Sequence, residues 1–250
     1  MASVVIDKRF CGPADSGNGG YAAGLFAKTI NGPAEVSLLA PPPLDTPISI
    51  INDDNGGLCA QFGDTIIAKM KPTQVDFDAP PCPDFESIKT AHTQFLSECD
   101  GEHLIPYCFV CGNRRAEGDG LRIFSGPVPE SSLNADFWTP GADLADGQGF
   151  VREEFLWAAL DCPSAFALRI WPAVSLLGQI RVNVISRPKV GERLVAAGWP
   201  KSRDGRKHFA ASALYNEAGD LIAQADTLWI ELRDGKLLAK LRQQRDAPQM

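Results

Sequence analysis

The sequence of 250 residues predicts an α+β protein in which one structural unit, a helix followed by antiparallel strands, occurs twice. Two passages of the chain show the same order of helix and strands, with a proline corner between the same two strands. Hydrophobic residues make up 44% of the chain and charged residues 22%, which is typical of a globular protein with a large core. An unrepeated α+β domain, with strands that are similar by chance, is the alternative prediction.

The first unit is predicted over residues 1–73. Its opening segment, SVVIDKRF, alternates as a strand does, and GNGGYAAGLFAKTING is predicted to form a helix that ends at Gly32. Four short strands follow, each bounded by proline, asparagine or glycine: AEVSLLA, TPISIIND, LCAQFG and DTIIAKMKP.

The second unit is predicted over residues 107–235. It begins with two strands, GLRIFSGPV and LNADFWTP, and continues with a helix at VREEFLWAALD. Because proline lacks the N–H that a helical turn needs, Pro163 is predicted to kink or end this helix, with Asp161 or Cys162 capping a new one. The remaining strands are GQIRVNVISRP, ERLVAAGWP, KHFAASALYN and LIAQADTLWIEL.

Particular residues link the two units. Pro43 and Pro188 occupy the same corner 145 positions apart, and Ala68 and Ala223 lie in matching strands 155 positions apart. A longer hairpin at KSRDGRKHF accounts for the difference. Residues 74–106, rich in proline and acidic residues, are predicted to form a linker with a short amphipathic helix, and residues 236–250 a C-terminal tail.

Charge and composition argue against several classes of partner. The net charge of −7 and the pI near 5.0 do not suit nucleic acids or anionic membranes, both of which require a basic face. The longest apolar region is interrupted by Asp161 and Arg169, which favours a buried helix over a membrane span. The first residues do not resemble a signal peptide, and seven cysteines without a regular framework are typical of reduced thiols, so we expect a cytoplasmic protein.

Cys108 and Cys111 form a Cys-x-x-Cys pair, which is a common element of zinc sites. No second pair follows at a suitable spacing, and Cys82, Cys99 or His103 would have to complete the four ligands. We therefore predict that the pair has a packing role and that the protein has no metal site.

Three segments resemble those of hotdog acyl-CoA thioesterases. NGGYAAGL resembles the His-Gly-Gly motif that begins their central helix, CFVCGNRRAEGDGLRIF a segment of the phenylacetate-type members, and WAALDCPSAFA the interior of their helix. The resemblance covers most of the chain and implies a double hotdog, with two long central helices each wrapped by a bent antiparallel β-sheet. Two units in one chain would then replace a homodimer, and further self-association is left open.

The resemblance also implies a catalytic acid nine positions after the motif histidine. In the first unit, Asn18 stands in place of the histidine and Ala27 in place of the acid. In the second unit Asp161 is the acid, but no Gly-Gly pair lies nine positions before it. We therefore expect one active cleft, which combines the start of the first helix with Asp161 of the second.

In that cleft, the N–H groups of Gly19 and Gly20 at the positive end of the helix dipole would hold the oxyanion of a thioester carbonyl, beside Asn18. The missing side chains would give this carbonyl room, and close packing between elements is the alternative reason for the glycines. Asp161 would act as a general base on water or as the nucleophile, and both roles are kept open.

The expected partner is a small-molecule acyl-CoA, and no cofactor is expected beyond coenzyme A as part of that substrate. Its acyl chain is expected between the two central helices, and its phosphates near a basic hairpin. The alternative interpretation of this hairpin is a solvated loop that binds no ligand. The expected acyl contacts are Tyr21, Leu25, Phe155 and Trp157, and the hairpin cations are Arg203, Arg206 and Lys207.

Two other functions compete with thioester hydrolysis. A hotdog enoyl-CoA hydratase would need an Asp–His pair, and the sequence contains no Asp-x-x-x-x-His arrangement. A non-catalytic acyl-CoA-binding or sensor module is favoured by the absence of the motif histidine, replaced by Asn18, and by the missing Gly-Gly pair of the second unit.

Overall fold

The structure is a computed structural model, and it describes residues 2–53, 56–98, 103–170, 174–233 and 235–246. These residues fold around an antiparallel sheet. Its strands are β1 (Ala2–Val5), β2 (Ala34–Leu38), β3 (Pro47–Asn52), β4 (Leu58–Phe62), β5 (Thr65–Pro72), β6 (Gly126–Pro127), β7 (Asn134–Trp138), β8 (Ser175–Val184), β9 (Leu194–Asp204), β10 (Lys207–Tyr215) and β11 (Leu221–Glu231). The helices are α1 (Gly19–Ala27), α2 (Phe85–Glu98), α3 (Glu153–Ala167) and α4 (Gly235–Asp246). Parts of the predicted linker and tail, at 99–102 and 247–250, lie outside the described residues.

The order of strands is the same in the two halves of the sheet. The full order is β1-β3-β4-β5-β2-β8-β11-β10-β9-β7-β6, and neighbouring strands are antiparallel. Strands β2 and β8 pair at the centre, with Val36 opposite Ile180. Outward from this junction one half runs β2, β5, β4, β3 and the other runs β8, β11, β10, β9. The two series of strands therefore have the same topology. The boundaries of the two units, at residues 1–73 and 107–235, remain predictions.

The central helices differ in length. α1 begins after Asn18, whose Oδ1 accepts a hydrogen bond from Tyr21 N–H at 2.9 Å, and Gly32 lies beyond its end at φ +82°. α1 has nine residues and α3 has fifteen, so the expectation of two long central helices is not confirmed.

Among the helices of the described ranges, none is long and apolar enough to cross a membrane.

Pro163 lies inside α3, so the prediction that it ends the helix is wrong. The sheet supports the helix backbone at this point. Ser212 of β10 donates from its hydroxyl to the carbonyl oxygen of Leu160 at 2.6 Å, and Ser164 Oγ donates to the carbonyl of Asp161 at 2.7 Å. These bonds satisfy carbonyls beside the position where proline removes a helical donor.

The two central helices approach each other backbone to backbone. A Cβ on Gly20 would lie 2.6 Å from Asp161 Cβ and 2.7 Å from the carbonyl oxygen of Trp157. A Cβ on Gly24 would lie 2.7 Å from Trp157 Cβ. Glycine at these two positions therefore sets the crossing of α1 and α3, and that crossing brings Asp161 to the start of α1.

α2 and α4 form in the regions predicted as linker and tail. α2 crosses β6 so closely that a Cβ on Gly126 would lie 1.9 Å from the carbonyl oxygen of Ala91. The strand predicted at GLRIFSGPV is reduced to two residues at this crossing. The predicted tail contains α4, which buries Leu241.

Candidate active site

Asp161 lies against the N-terminus of α1. Its Oδ2 accepts a hydrogen bond from Gly20 N–H at 2.9 Å and another from Asn18 Nδ2 at 2.8 Å. Because Asn18 Oδ1 already accepts from Tyr21 N–H, its amide nitrogen must face the carboxylate. Asn18 therefore caps the helix with one end of its amide and holds Asp161 with the other.

The second carboxyl oxygen of Asp161, Oδ1, makes no hydrogen bond to the described residues. The residue is only 2% exposed, and Oδ1 is buried with no hydrogen-bond partner among the described residues. Burial raises the pKa of Asp161 to about 7, against the opposing effects of the Gly20 N–H and the Asn18 amide. A carboxyl with a pKa near neutrality and an unpartnered oxygen suits proton transfer.

A cavity of about 850 Å³ opens beside this carboxyl. Asn18, Gly19 and Asp161 lie on its wall, together with residues of α2, β8 and α4. The wall is mostly apolar, and its larger hydrophobic residues include Leu38, Phe95, Phe166, Leu177, Trp229 and Leu241. The space would hold a sizeable apolar ligand with a polar group at the Asp161 end.

Gly19 and Gly20 have different roles in this geometry. The N–H of Gly20 is bonded to Asp161, so the expectation that it serves an oxyanion is wrong for the described state. Gly19, the first residue of α1, lines the cavity, and no acceptor for its N–H is found among the described residues. A Cβ on Gly19 would lie 3.0 Å from Leu177 Cδ2. Gly20 thus packs closely against α3 and Gly19 against β8, which is the packing alternative for the two glycines.

The expected acyl contacts do not line the cavity, because the space between the central helices is filled by the crossing itself. Tyr21 stacks on Phe10 with ring centroids 4.2 Å apart, and Phe155 lies 5.5 Å from Tyr21 in the same aromatic group. Trp157 packs on Gly24. Leu25 is also absent from the cavity wall. None of these four side chains lines the large cavity, which is bordered instead by residues such as Phe166.

The basic hairpin also lies away from the cavity wall. Arg203, Arg206 and Lys207 are exposed at the turn between β9 and β10. Arg203 Nη2 pairs with Glu231 Oε2 at 3.1 Å. This arrangement suits the solvated loop that was the alternative to a phosphate-binding hairpin. The cations that border the cavity are Arg169 and Lys240, and neither was predicted.

A second, much smaller cavity of about 60 Å³ occupies the related place in the other half. Glu153, at the start of α3, and Ala27, at the end of α1, lie on its wall with Trp157. The positions that carry Gly19 and Asp161 in the large cavity thus carry a charged side chain and an alanine here. Among the described residues, a large and a small cavity thus lie at related places, and the expectation of a single active cleft stays a prediction.

Three cysteines near Asp161 form a group that was not predicted from the sequence. Cys108, Cys111 and Cys162 are buried, line the large cavity and place their sulfur atoms within 4.8 Å of one another. Asn18 Nδ2 lies 3.7 Å from Cys108 Sγ. Two separate signals are present in the sequence, the Cys-x-x-Cys pair and the position of Cys162 directly after the predicted acid, and neither predicts that the three thiols meet.

No protein-family model and no curated protein matches the chain. Solved structures do match it over most of its length. A Thermobifida fusca YX protein described as a thioesterase II is 14% identical over 92% of each chain, with a TM-score of 0.61. The acyl-CoA thioesterase II TesB2 of Mycobacterium marinum is 12% identical over 94% of this chain and 93% of its own, with a TM-score of 0.59.

The tesB protein of Mycobacterium avium subspecies paratuberculosis is 16% identical over 88% of this chain and 89% of its own, with a TM-score of 0.58. At these identities the likeness concerns the fold. The chain has the hotdog fold, which confirms the fold that its motifs imply.

Proposed function

We propose that the protein hydrolyses the thioester of an acyl-CoA. One observation carries this proposal: Asp161, whose Oδ1 has no hydrogen-bond partner among the described residues, and Gly19, at a helix N-terminus, line the same large apolar cavity. A base and an oxyanion donor at the end of an acyl-sized space are what thioester hydrolysis requires. The hotdog fold of acyl-CoA thioesterase structures adds support.

The acyl chain would occupy the apolar cavity, with its carbonyl beside the start of α1. Gly19 N–H would donate to the carbonyl oxygen, where the dipole of α1 adds positive potential. Removal of one such donor from other enzymes costs about 3 kcal/mol of transition-state stabilisation.

Asp161 would act as the general base. Its Oδ2 is held by Gly20 and Asn18, so Oδ1 is the oxygen available to a water molecule. As the water oxygen bonds to the carbonyl carbon, its proton passes to Oδ1. Collapse of the tetrahedral intermediate then breaks the C–S bond, and the sulfur of coenzyme A leaves with the proton. Direct attack by Asp161 is the alternative that the site also allows.

Hydrolysis of a panel of acyl-CoAs, followed by release of free thiol, tests the proposal. Asp161→Asn keeps the size of the side chain but removes the base, so we expect a fall in kcat of at least about a hundredfold. Glu153→Gln is the matched control, because it makes the same chemical change at the small cavity and leaves Asp161 untouched.

Retention of full activity by Asp161→Asn would remove Asp161 from the mechanism. Saturable acyl-CoA binding without any thiol release by the unmodified protein would favour the sensor alternative. The presence of Asn18 in place of the motif histidine supports that alternative. The hydratase alternative has less support. His103 lines the cavity, but its Nδ1 accepts from Ile105 N–H at 3.1 Å instead of pairing with an aspartate.

A further inference from the structure

The three thiols beside Asp161 have the geometry of a metal site. Cys108 and Cys162 come from segments 54 positions apart, and their sulfur atoms are 3.9 Å apart. A Zn–S bond of about 2.3 Å gives a sulfur–sulfur edge of about 3.8 Å in a tetrahedron. All three sulfurs, with Cys111 included, lie within 4.8 Å of one another, so an ion placed among them would need only small side-chain adjustments.

The turn that carries Cys108 and Cys111 is a tight, glycine-dependent one. Gly112 N–H donates to the carbonyl of Cys108 at 2.9 Å, and a Cβ on Gly112 would lie 2.5 Å from that same oxygen. The turn therefore holds Cys108 and Cys111 close together, and their sulfur atoms form one group with that of Cys162.

Asn18 donates a hydrogen bond to this group of sulfur atoms, since its Nδ2 lies 3.7 Å from Cys108 Sγ. A neutral thiol is a weak acceptor, whereas a thiolate accepts such a bond as a charged group. Three thiolates and a divalent ion would carry one net negative charge, which the Asn18 amide would help to stabilise inside the wall of the cavity.

We propose that Cys108, Cys111 and Cys162 bind one zinc ion whose fourth coordination position opens into the cavity. Three thiolates select a soft ion such as Zn²⁺. No His, Asp or Glu donor atom of the described residues lies within 4.8 Å of all three sulfurs. His103 is unsuited as the fourth ligand, because Nδ1 accepts from Ile105 N–H and the ring proton of the neutral form therefore lies on Nε2.

The other two ligands considered from the sequence do not complete the set. Cys82 packs near Gly219, away from the cavity wall, and Cys99 lies outside the described residues. The fourth ligand would therefore be water or another small molecule from the cavity, as in zinc sites that keep one position open.

Metal analysis of the full-length protein, purified without chelators or nickel resin and dialysed against zinc, tests the site. We expect one zinc per chain in the unmodified protein and in Cys82→Ser, and loss of zinc in Cys108→Ser and Cys162→Ser. Cobalt loading should give a sulfur-to-cobalt charge-transfer band and intense visible bands, which report tetrahedral thiolate coordination. Addition of 2-mercaptoethanol should shift those bands through the open position.

A zinc-free unmodified protein, or equal zinc in all four proteins, would overturn the site. Cobalt bands that do not respond to the added thiol would overturn the open position. If a cysteine variant fails to fold, a mercurial reagent added to the unmodified protein provides the second measurement, since it should release one zinc as it modifies the thiols. None of these measurements uses acyl-CoA, so they are independent of thioester hydrolysis.

Discussion

Gly20 and Asp161 are joined by a hydrogen bond of 2.9 Å, although they are 141 positions apart in the chain. The bond is made where α1 and α3 cross, and the missing Cβ of Gly20 permits both the crossing and the bond. One glycine thus couples the packing of the two helices to the position of the proposed base.

Gly20→Ala should be strongly destabilising. The new Cβ would lie 2.6 Å from Asp161 Cβ and 2.7 Å from a backbone oxygen, so the helices must separate. We expect a loss of about 3 kcal/mol in the free energy of unfolding, measured by urea denaturation. Gly147→Ala is the control, because no atom lies within 4 Å of its Cβ position, and it should change stability by less than about 0.5 kcal/mol. Equal stability of the two variants would contradict the close crossing.

Asn18→Ser and Asn18→Ala separate the two functions of Asn18. Both variants lose the amide that holds Asp161 Oδ2, so both should show the same fall in kcat, of about tenfold or more. Serine still caps α1 and alanine does not, so the serine variant should be more stable by about 1 kcal/mol. Steady-state kinetics and urea denaturation check the two effects. Normal turnover in both variants would show that Asn18 serves only as a helix cap.

Leu241→Ala should weaken acyl binding while leaving the chemical step intact. Leu241 is a buried residue of α4 that lines the cavity far along the chain from Asp161. Loss of its contact with an apolar chain should raise KM by about tenfold with little change in kcat. Leu96→Ala is the control, since Leu96 is an exposed leucine of α2. A fall in kcat alone would place α4 outside the binding site.

The His92–Asp136 pair should give the protein a pH-dependent contribution to stability. Its hydrogen bond of 2.9 Å raises the pKa of His92 above the usual value, against burial and the nearby charge of Arg122. Because the folded pKa is the higher one, this stabilisation is fully present below about pH 6.5 and is lost as the pH rises through the folded pKa.

The free energy of unfolding lost in His92→Gln, relative to the unmodified protein, should therefore be larger at about pH 5.5 than at about pH 8.5. Urea denaturation at several pH values measures this difference. A stability difference that does not change with pH would show that His92 stays neutral in the folded protein.

The resemblance of the sequence motifs to those of hotdog acyl-CoA thioesterases was sufficient to predict the hotdog fold. The same resemblance implies that Asp161 faces the start of the first helix, where Asn18 donates a hydrogen bond to it. It was not sufficient to predict which face of each helix borders the cavity. That depends on the crossing at Gly20 and Gly24, where the backbones touch and exclude a ligand. For the same reason Trp157, expected to contact an acyl chain, packs on Gly24.

Long-range assembly explains the other differences. Cys162 joins Cys108 and Cys111 only because α3 packs beside the Cys-x-x-Cys turn, and no spacing rule predicts a third ligand from so far along the chain. α4 has a weak apolar pattern, and its helix is held partly by tertiary contacts such as the Lys240–Asp15 ion pair. Both features depend on neighbours that a local reading of the sequence does not include.

The pairing of β2 with β8 joins two related halves within a single polypeptide. In an assembly of two identical chains, every amino-acid replacement would appear at both clefts at once. Here a mutation alters one cleft and leaves its counterpart as it was. Covalent continuity therefore allows the small cavity to close around Trp157 while the large one keeps Asp161 on its wall.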